Sequence, residues 1–218
     1  MWCIPRIDRE FRRRLFDVIS VYSAPYDAKL PVVCMDEKLI ELHADVRVAY
    51  RKKGVLHRDY EYERRGTCNL FIATEPKGGR HWVKVTARRT HRDFAYFMRD
   101  IARRYPDAIA IVLVMDNLNT HGESSLIRTF GEKHGRRLWA RFRVHYTPCH
   151  GSWLNLAELA LSITSRCAMG KRRFATIANV ADVVVPFWRR QTRQHRTFHW
   201  KWTKASAYRW LNLLGSEH

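Results

Sequence analysis

The sequence has 218 residues, of which 40 are Lys or Arg and 21 are Asp or Glu, so the formal net charge is +19 and the isoelectric point is about 10.3. This length is typical of one domain with short appendages. Because 46% of the residues are hydrophobic, the chain can bury a core, which excludes a disordered basic tail. The charge is therefore expected on the surface of a folded body, where it attracts polyanions, nucleic acid above all; ribosomal and membrane-surface proteins share this bias.

Cysteine usage and hydropathy narrow the class further. No apolar run approaches the roughly 20 residues needed to span a bilayer, and no secretory signal pattern opens the chain. We therefore expect a cytoplasmic, nucleoid-associated protein without a membrane segment. An odd number of cysteines without Cys-x-x-Cys spacing indicates neither a disulfide framework nor a zinc ribbon: Cys3, Cys34, Cys68, Cys149 and Cys167.

The first half of the chain predicts a helix and then three strands. Residues 8–23 have apolar positions at helical spacing, and residues 31–35 form a short apolar strand that ends at Asp36. Residues 41–65 are read as loop or irregular strand. A hairpin follows, with strands over 67–74 and 81–87 joined by a turn at 77–79.

The second half predicts alternating helices and strands. A capping box at Thr90–Asp93 opens a helix that Pro106 closes, residues 109–115 form a buried strand, and a helix over 123–134 stops near Gly135. Residues 142–146 form another strand, and Ser152 is expected to cap a helix over 153–169. The order of elements, βββαβαβα, is that of the ribonuclease H-like fold, an α/β class with a mixed sheet.

Three segments are expected: a lead-in helix and linker (1–30), a ribonuclease H-like catalytic domain (31–170) and a basic helical extension packed on it (171–218). The extension includes a packing helix over 177–188. Between Arg166 and Arg209 there are eleven Lys or Arg and one acid, Asp182, so this region is predicted to form the most basic face. Its nucleic-acid-binding candidates are Arg172, Arg173, Arg189, Arg190, Arg193, Lys201 and Lys204.

Three carboxylates carry the candidate chemistry. Asp36 and Asp116 each follow an apolar strand, and the carboxyl ends of strands are where α/β proteins bind ligands; either could instead simply cap a turn. Glu158 lies in a very apolar helix, where a buried carboxylate needs a metal or cation to compensate it; the alternative is that it turns to solvent. Such oxygen ligands suit two divalent ions, Mg²⁺ or Mn²⁺, which promote phosphoryl displacement.

Several strings resemble the catalytic half of mariner-like bacterial insertion-sequence transposases, the DDE superfamily endonucleases. They are residues 31–37 (PVVCMDE), 65–71 (RGTCNLF), 83–86 (VKVT), 116–121 (DNLNTH) and 145–158 (HYTPCHGSWLNLAE). The resemblance implies that Asp36, Asp116 and Glu158 are the catalytic, metal-binding triad. It also implies cleavage at terminal inverted repeats, integration at a target such as TA, double-stranded DNA as the partner, and a homodimer in the DNA complex.

Four further residues flank the triad. All four are expected either to support the metal ligands or to contact DNA. If the strand continues, Glu37 points to the opposite face from Asp36, so supporting a ligand or forming a salt bridge is favoured over ligation. Asn117 adjoins the site, and His121 could also contact a DNA phosphate or cap the following helix. Asn155 lies one turn before Glu158 and is placed to orient it. Trp153 is expected in the core. The tail residues Trp200, Trp202 and Trp210 either stack on unpaired bases or, as we favour, pack against the catalytic body.

Related transposases carry a helix-turn-helix region before the catalytic half, and we expect that part to be encoded elsewhere or lost. Two other readings stay open: a catalytically idle remnant that only binds nucleic acid, and a cellular ribonuclease H-like nuclease acting on junctions or RNA–DNA hybrids.

Overall fold

The computed structural model describes residues 7–215, so the prediction for Cys3 lies outside the described residues. A five-stranded mixed sheet forms the centre, in the order β5-β4-β1-β6-β7. Strand β4 pairs antiparallel with both β5 and β1, whereas β1, β6 and β7 run parallel to one another. The strands are β1 (Val32–Asp45), β4 (Tyr62–Glu75), β5 (Arg80–Thr86), β6 (Ile111–Met115) and β7 (Phe142–Tyr146), and a small separate sheet pairs β2 (Tyr50–Lys52) with β3 (Val55–His57).

Helices cover both faces of the sheet because alternate residues of each strand are apolar in both directions. On one face Cys34 and Ile40 pack with helices α1 (Arg9–Ser23), α5 (Leu156–Ile163), α6 (Ile177–Arg193) and α7 (Lys204–Gly215). On the other, Val33 and Met35 pack with α2 (His91–Arg103) and with Leu126 of α3 (Glu123–Phe130). A short helix α4 (Glu132–Trp139) follows α3. No helix among residues 7–215 is long and apolar enough to cross a membrane.

The predicted element order is confirmed, but the end of the first strand was wrong, and residues 41–65, read as loop or irregular strand, are largely strand. Strand β1 does not end at Asp36; it continues for nine residues because β4 pairs with it antiparallel over almost its full length. Residues 41–65 also contain the β2–β3 hairpin, whose tip residues Lys53 and Gly54 have φ of 49° and 78°. Two-residue turns with positive φ match the twist of the strands that they join.

Two helix boundaries also differ from the prediction. The helix expected over 123–134 is two helices, because Gly131 has φ of 80° and redirects the chain. The helix expected from Ser152 begins one turn later: residues 152–154 form a 3₁₀ turn, and Asn155, whose side chain accepts a hydrogen bond from the Ala157 amide, is the N-cap. After α5 the chain continues as a π-helical segment over 164–169.

The described part of the C-terminal region packs against the sheet and α1. The indole of Trp188 in α6 is buried and donates to the hydroxyl of Thr164 over 2.8 Å. Trp200 lies against Tyr22 of α1, with ring centroids 4.8 Å apart. Because these rings join the same apolar cluster as α1 and the sheet, the described tail is part of one packed body; the division at residues 30 and 170 stays a prediction.

Candidate active site

The two aspartates of the predicted triad lie side by side on adjacent parallel strands. Cys34 of β1 pairs with Val114 of β6, so the same register continued by two residues places Asp36 next to Asp116. Asp116 follows the last residue of β6, as predicted, whereas Asp36 lies inside β1. Asp36 is therefore held within a strand, and Asp116 directly follows the end of the neighbouring one.

Asp36 is a buried carboxyl group with two other acids nearby. One carboxylate oxygen accepts a hydrogen bond from the Glu37 amide over 2.8 Å. Burial, the charge of Glu158 and then that of Asp116 together raise the pKa of Asp36 to about 7. A carboxyl group in that condition is one that a nearby cation would stabilise strongly in its charged form.

Glu158 reaches this site from the first turn of α5. The expectation that it is buried was wrong: the side chain is exposed, which is the alternative of turning to solvent. The apolar residues around it in sequence, Leu156, Ala157, Ala160 and Leu161, form the packed face of the helix instead. Glu158 is nevertheless close enough for its charge to raise the pKa of Asp36, so all three carboxylates share one electrostatic site.

Asn155 connects the strand of Asp36 to the helix of Glu158. Its side chain is buried, and its amide donates to the Met35 carbonyl over 2.8 Å and to the Asp36 carboxylate over 3.4 Å. Its oxygen accepts from the Ala157 amide over 3.1 Å and so caps α5. The residue therefore fixes the start of α5 relative to β1, consistent with the orienting position expected for it.

His121 lies beneath the site, between two acids. Its Nδ1 is paired with the Asp116 carboxylate, and its Nε2 is 3.1 Å from the Glu37 carboxylate, which also meets Arg89 at 3.3 Å. Burial alone would lower the pKa of His121, but the hydrogen bonds to Asp116 and Glu37 raise it to about 9. The helix-cap role was wrong, because Gly122 is the N-cap of α3. The ring is buried against Phe94, which leaves little of it exposed for the expected phosphate contact. Its pairing with Asp116 is consistent with the third expectation, that it supports a metal ligand, which stays a prediction.

The remaining residues near the carboxylates define an open cleft. Asn117 is exposed and, with Asp116, lines a cavity of about 440 Å³ between α1 and residues 147–152. Arg14 of α1 lines the same cavity, and Lys38, two residues along β1 from Asp36, is held by the Ser165 hydroxyl at 2.8 Å. Sequence reasoning missed both cations, although the two-residue period of a strand places Lys38 on the face of Asp36.

Trp153 is not a core residue, contrary to the prediction. It is 37% exposed and packs edge-on against Trp202 and Trp210, at centroid distances of 5.1 and 5.9 Å. This tryptophan cluster (Trp153, Trp202, Trp210) begins two residues before Asn155 in the chain. It favours packing over base stacking for Trp202 and Trp210, because their ring faces already have protein neighbours.

The proposed basic residues are exposed with one exception: Arg172, Arg189, Arg190, Arg193, Lys201 and Lys204 are open to solvent. Arg173 is not a free cation. Its guanidinium donates to the Asp45 carboxylate and to the carbonyls of Glu61 and Tyr60, and it lies over the Tyr62 ring. Because all of these partners are at the base of the β2–β3 hairpin, Arg173 anchors that hairpin rather than offering a free charge to DNA.

The donor set suits hard divalent cations, since Asp36, Asp116 and Glu158 offer oxygen ligands and their charges already repel. The repulsion between Asp36 and the neighbouring acids, which raises the pKa of Asp36, is the feature that a cation would relieve. In residues 7–215, however, no group of three or more His, Cys, Asp or Glu side chains is arranged to hold a metal ion. The chemistry of the site fits the metal, and the exposed Glu158 side chain is the ligand that would have to turn inward.

The chain is similar in sequence to one protein family and in fold to several solved structures. A family model described as DDE superfamily endonuclease matches residues 31–181. No curated protein matches the sequence. The chain is similar to three solved structures of the Mos1 mariner transposase at 14% identity each: the paired end complex with Mn (TM-score 0.52), the Strand Transfer Complex (0.54) and the paired end complex with Mg (0.55).

These matches cover 90%, 90% and 99% of this chain and 62%, 61% and 65% of the respective Mos1 chains. The chain thus spans less than two thirds of the Mos1 chains that it matches. At this identity the likeness concerns the fold, and it confirms the ribonuclease H-like class predicted from the order of elements. The family match covers all three carboxylates of the site.

Proposed function

The chain belongs to the DDE superfamily endonucleases, and we propose that it is the catalytic part of a transposase that cuts DNA at element ends and joins them to a target. The observation that carries the proposal is that Asp116 and Glu158 lie close enough to Asp36, near the carboxyl end of β6, for their charges to raise its pKa. The buried carboxylate of Asp36 lies within the influence of two other acids, and this repulsion is unfavourable unless a cation balances it.

Asp36, Asp116 and Glu158 are the residues that would hold Mg²⁺ or Mn²⁺. Two such ions, when bound, activate the attacking water or 3′-hydroxyl and stabilise the leaving oxygen of the phosphodiester. The chain itself supplies the rest of the arrangement. Asn155 holds the start of α5 against β1, and His121 fixes one oxygen of Asp116, so the two groups limit how the carboxylates can turn.

DNA would reach the carboxylates through the cleft beside Asn117. Arg14 lines that cleft, where it is paired with Glu10, and Lys38 lies two residues along β1 from Asp36, so both cations are placed to hold a phosphate near the acids. Mos1 complexes with paired ends and transferred strands support transposon ends and target DNA as partners. A helix-turn-helix part, a homodimer in the DNA complex, a bacterial insertion-sequence origin and a cytoplasmic, nucleoid-associated location belong to the same proposal.

The test is a nicking assay on supercoiled DNA with Mg²⁺ or Mn²⁺. Asp36→Asn, Asp116→Asn and Glu158→Gln should each reduce nicking by at least a hundredfold, because each removes ligand charge but little volume. Asp182→Asn, which neutralises an exposed acid on α6, is the matched control and should keep full activity. In the same samples, Mn²⁺ should raise the unfolding temperature of the wild type and of Asp182→Asn but not of the triad variants.

A second function, nucleic-acid binding without catalysis, is favoured by one observation. Among residues 7–215, no group of three or more His, Cys, Asp or Glu side chains has the arrangement needed to hold a metal ion. It predicts duplex binding, no nicking in either metal, and no effect of Mn²⁺ on unfolding. A cellular nuclease is separated by substrate, since it would cut a junction or an RNA–DNA hybrid in preference to duplex DNA. Full activity of Glu158→Gln would remove Glu158 from the triad.

A further inference from the structure

A groove with a cationic rim lies between α2 and the α3–α4 pair, away from the carboxylates. We call it the α2–α4 groove. It has a volume of about 780 Å³, and Phe130 and Leu138 form part of its floor. Its rim carries five basic side chains and no acid among the described residues that line it: Arg99, Arg103, His134, Arg137 and Arg141.

Most of these cations lack a counter-charge in the described part of the chain. Arg103, His134 and Arg137 make no side-chain hydrogen bond, ion pair or ring contact with residues 7–215. Arg141 donates only to main-chain carbonyls, of which that of Tyr105 is 2.6 Å away. Like charges gathered without acids repel, so the groove is electrostatically incomplete in the absence of an anion.

Arg99 has a buried hydrogen-bond donor that no described residue satisfies. Its guanidinium lies over the rings of Tyr96 and Phe130, at 4.6 and 5.5 Å, and its nearest acid, Asp100, is 3.9 Å away. Its Nε is nevertheless buried without a hydrogen-bond acceptor in the described residues. A buried donor left unsatisfied is costly, and an anionic oxygen entering the groove is the kind of acceptor that would satisfy it.

The groove is on the opposite side of the molecule from the candidate active site in two respects. Asp116 follows the carboxyl end of β6, whereas Arg141 bonds through its main chain to Ile111 at the start of that strand, and five residues of β-strand span about 16 Å. The groove also belongs to the sheet face covered by α2 and α3, and Asp36 faces α5. Because the two sites lie on opposite faces of the sheet, a straight duplex seated at one does not face the other.

We propose that the α2–α4 groove binds the sugar–phosphate backbone of a second DNA segment, separate from the DNA at the carboxylates. Guanidinium groups suit phosphate oxygens, and an apolar floor beneath a cationic rim matches the alternation of deoxyribose and phosphate along a backbone. DNA as the occupant rests on the proposed function, whereas the need for an anion rests on the charges alone. An acidic protein segment is the competing occupant.

The experiment counts duplexes bound per chain. The probe is an 8-bp hairpin duplex, about 27 Å long, titrated at low salt by calorimetry or anisotropy. The test variant is Arg103→Gln/Arg137→Gln. The matched control is Arg128→Gln/Lys133→Gln, which removes the same charge from exposed positions of α3 and α4 that do not line the groove. Gln preserves helix propensity in both variants.

The wild type and the control should bind two duplexes per chain, and the groove variant should lose one class of site or bind it at least tenfold more weakly. A single duplex per chain in the wild type, or equal losses in the two variants, overturns the proposal. So does a 12-residue poly-glutamate peptide that binds the wild type more tightly than the duplex and no longer binds Arg103→Gln/Arg137→Gln, since that result assigns the groove to an acidic protein partner.

Failure of the groove and failure of the proposed function give different results. Asp116→Asn should lose nicking but keep both duplexes, because it lies at the other end of β6. A wild type that binds two duplexes and never nicks DNA would overturn the proposed function and leave the groove assignment standing. A wild type that nicks DNA with one duplex per chain would do the reverse.

Discussion

The side-chain amide of Asn155 donates to the carboxylate of Asp36 across 3.4 Å, although 119 residues separate the two in sequence. The same amide donates to the Met35 carbonyl, and the Asn155 oxygen caps α5 through the Ala157 amide. One buried side chain thus links the strand of the first acid to the helix of the third. This contact holds β1 and α5 in a fixed relation.

Asn155→Asp should lower the free energy of unfolding by about 1–3 kcal/mol at pH 8. The new side chain keeps the cap acceptor but has no amide to donate to Met35, and its charge repels that of Asp36. Urea unfolding at pH 8 and pH 5 measures both effects. The loss should be smaller at pH 5, where Asp36 is protonated, and an equal loss at the two pH values would contradict the charge repulsion.

Asp36 should make the free protein less stable as the pH rises. Burial and the neighbouring acids raise its pKa from 3.8 to about 7. The folded state therefore binds a proton more tightly than the unfolded state, so this contribution to stability falls between about pH 4 and pH 7. Asp36→Asn should stabilise the metal-free protein at pH 8 by roughly 1–3 kcal/mol and have little effect at pH 4. Asp182→Asn is the control, and thermal unfolding over this range is the measurement.

The buried ion pair of His121 and Glu37 should be expensive to break from one side. His121→Leu removes the imidazolium from Asp116 and Glu37, of which Glu37 keeps only Arg89, and should cost about 3–5 kcal/mol. His121→Leu/Glu37→Leu should cost less than the two single changes summed, which a double-mutant cycle measures. Because the pKa of His121 is raised to about 9, its contribution is full below about pH 6.5 and is lost as the pH rises through 9. A cost that grew with pH would contradict the pairing.

Arg173 should control local opening of the β2–β3 hairpin. Arg173→Gln removes the donors to Asp45, Glu61 and Tyr60, so residues 46–60 should exchange amide hydrogens faster and be cut sooner by trypsin. Arg172→Gln is the matched control, because the neighbouring side chain is exposed. Equal protection in the two variants would show that the hairpin is held by other interactions.

The exposed arginines of α6 should contribute to duplex affinity by neutralising phosphates. Arg189→Gln/Arg190→Gln/Arg193→Gln should weaken binding and reduce the slope of log K against log salt by about 0.9 for each phosphate that is no longer neutralised. Anisotropy at several salt concentrations gives the slope. The Arg128→Gln/Lys133→Gln variant controls for the change in net charge, and an unchanged slope would move this DNA-binding surface elsewhere.

Sequence patterns could predict the strands and the positions of the acids because both depend on local signals. The run 109–115 is apolar throughout, and the capping box at Thr90 and Asp93 forms as expected, with both reciprocal hydrogen bonds present. The extent of β1 could not be predicted in the same way. Beyond Asp36 it is a strand because β4 pairs with it, and pairing with a segment distant in sequence is not visible in a short stretch of residues.

The arrangement of side chains around the acids was less predictable than their identity. Glu158 is exposed because α5 turns its alanines and leucines toward the core, and that rotation is set once Asn155 rather than Ser152 caps the helix. His121 is buried because two acids and Phe94 surround it, which depends on the register of β1 with β6. Tertiary packing decides such details, whereas the residue types alone indicate the chemistry.

The tryptophan cluster gives this protein an intrinsic optical reporter. Trp153, Trp202 and Trp210 lie with centroids 5.1–5.9 Å apart and ring planes inclined by 69–75°, and close, inclined indoles couple their electronic transitions. Coupling of this kind produces a circular dichroism signal that vanishes when the rings separate. Trp153 lies in the 3₁₀ turn before Asn155, whereas Trp202 and Trp210 belong to the C-terminal segment. Loss of this circular dichroism signal should therefore report detachment of the C-terminal segment from that turn, without any added label.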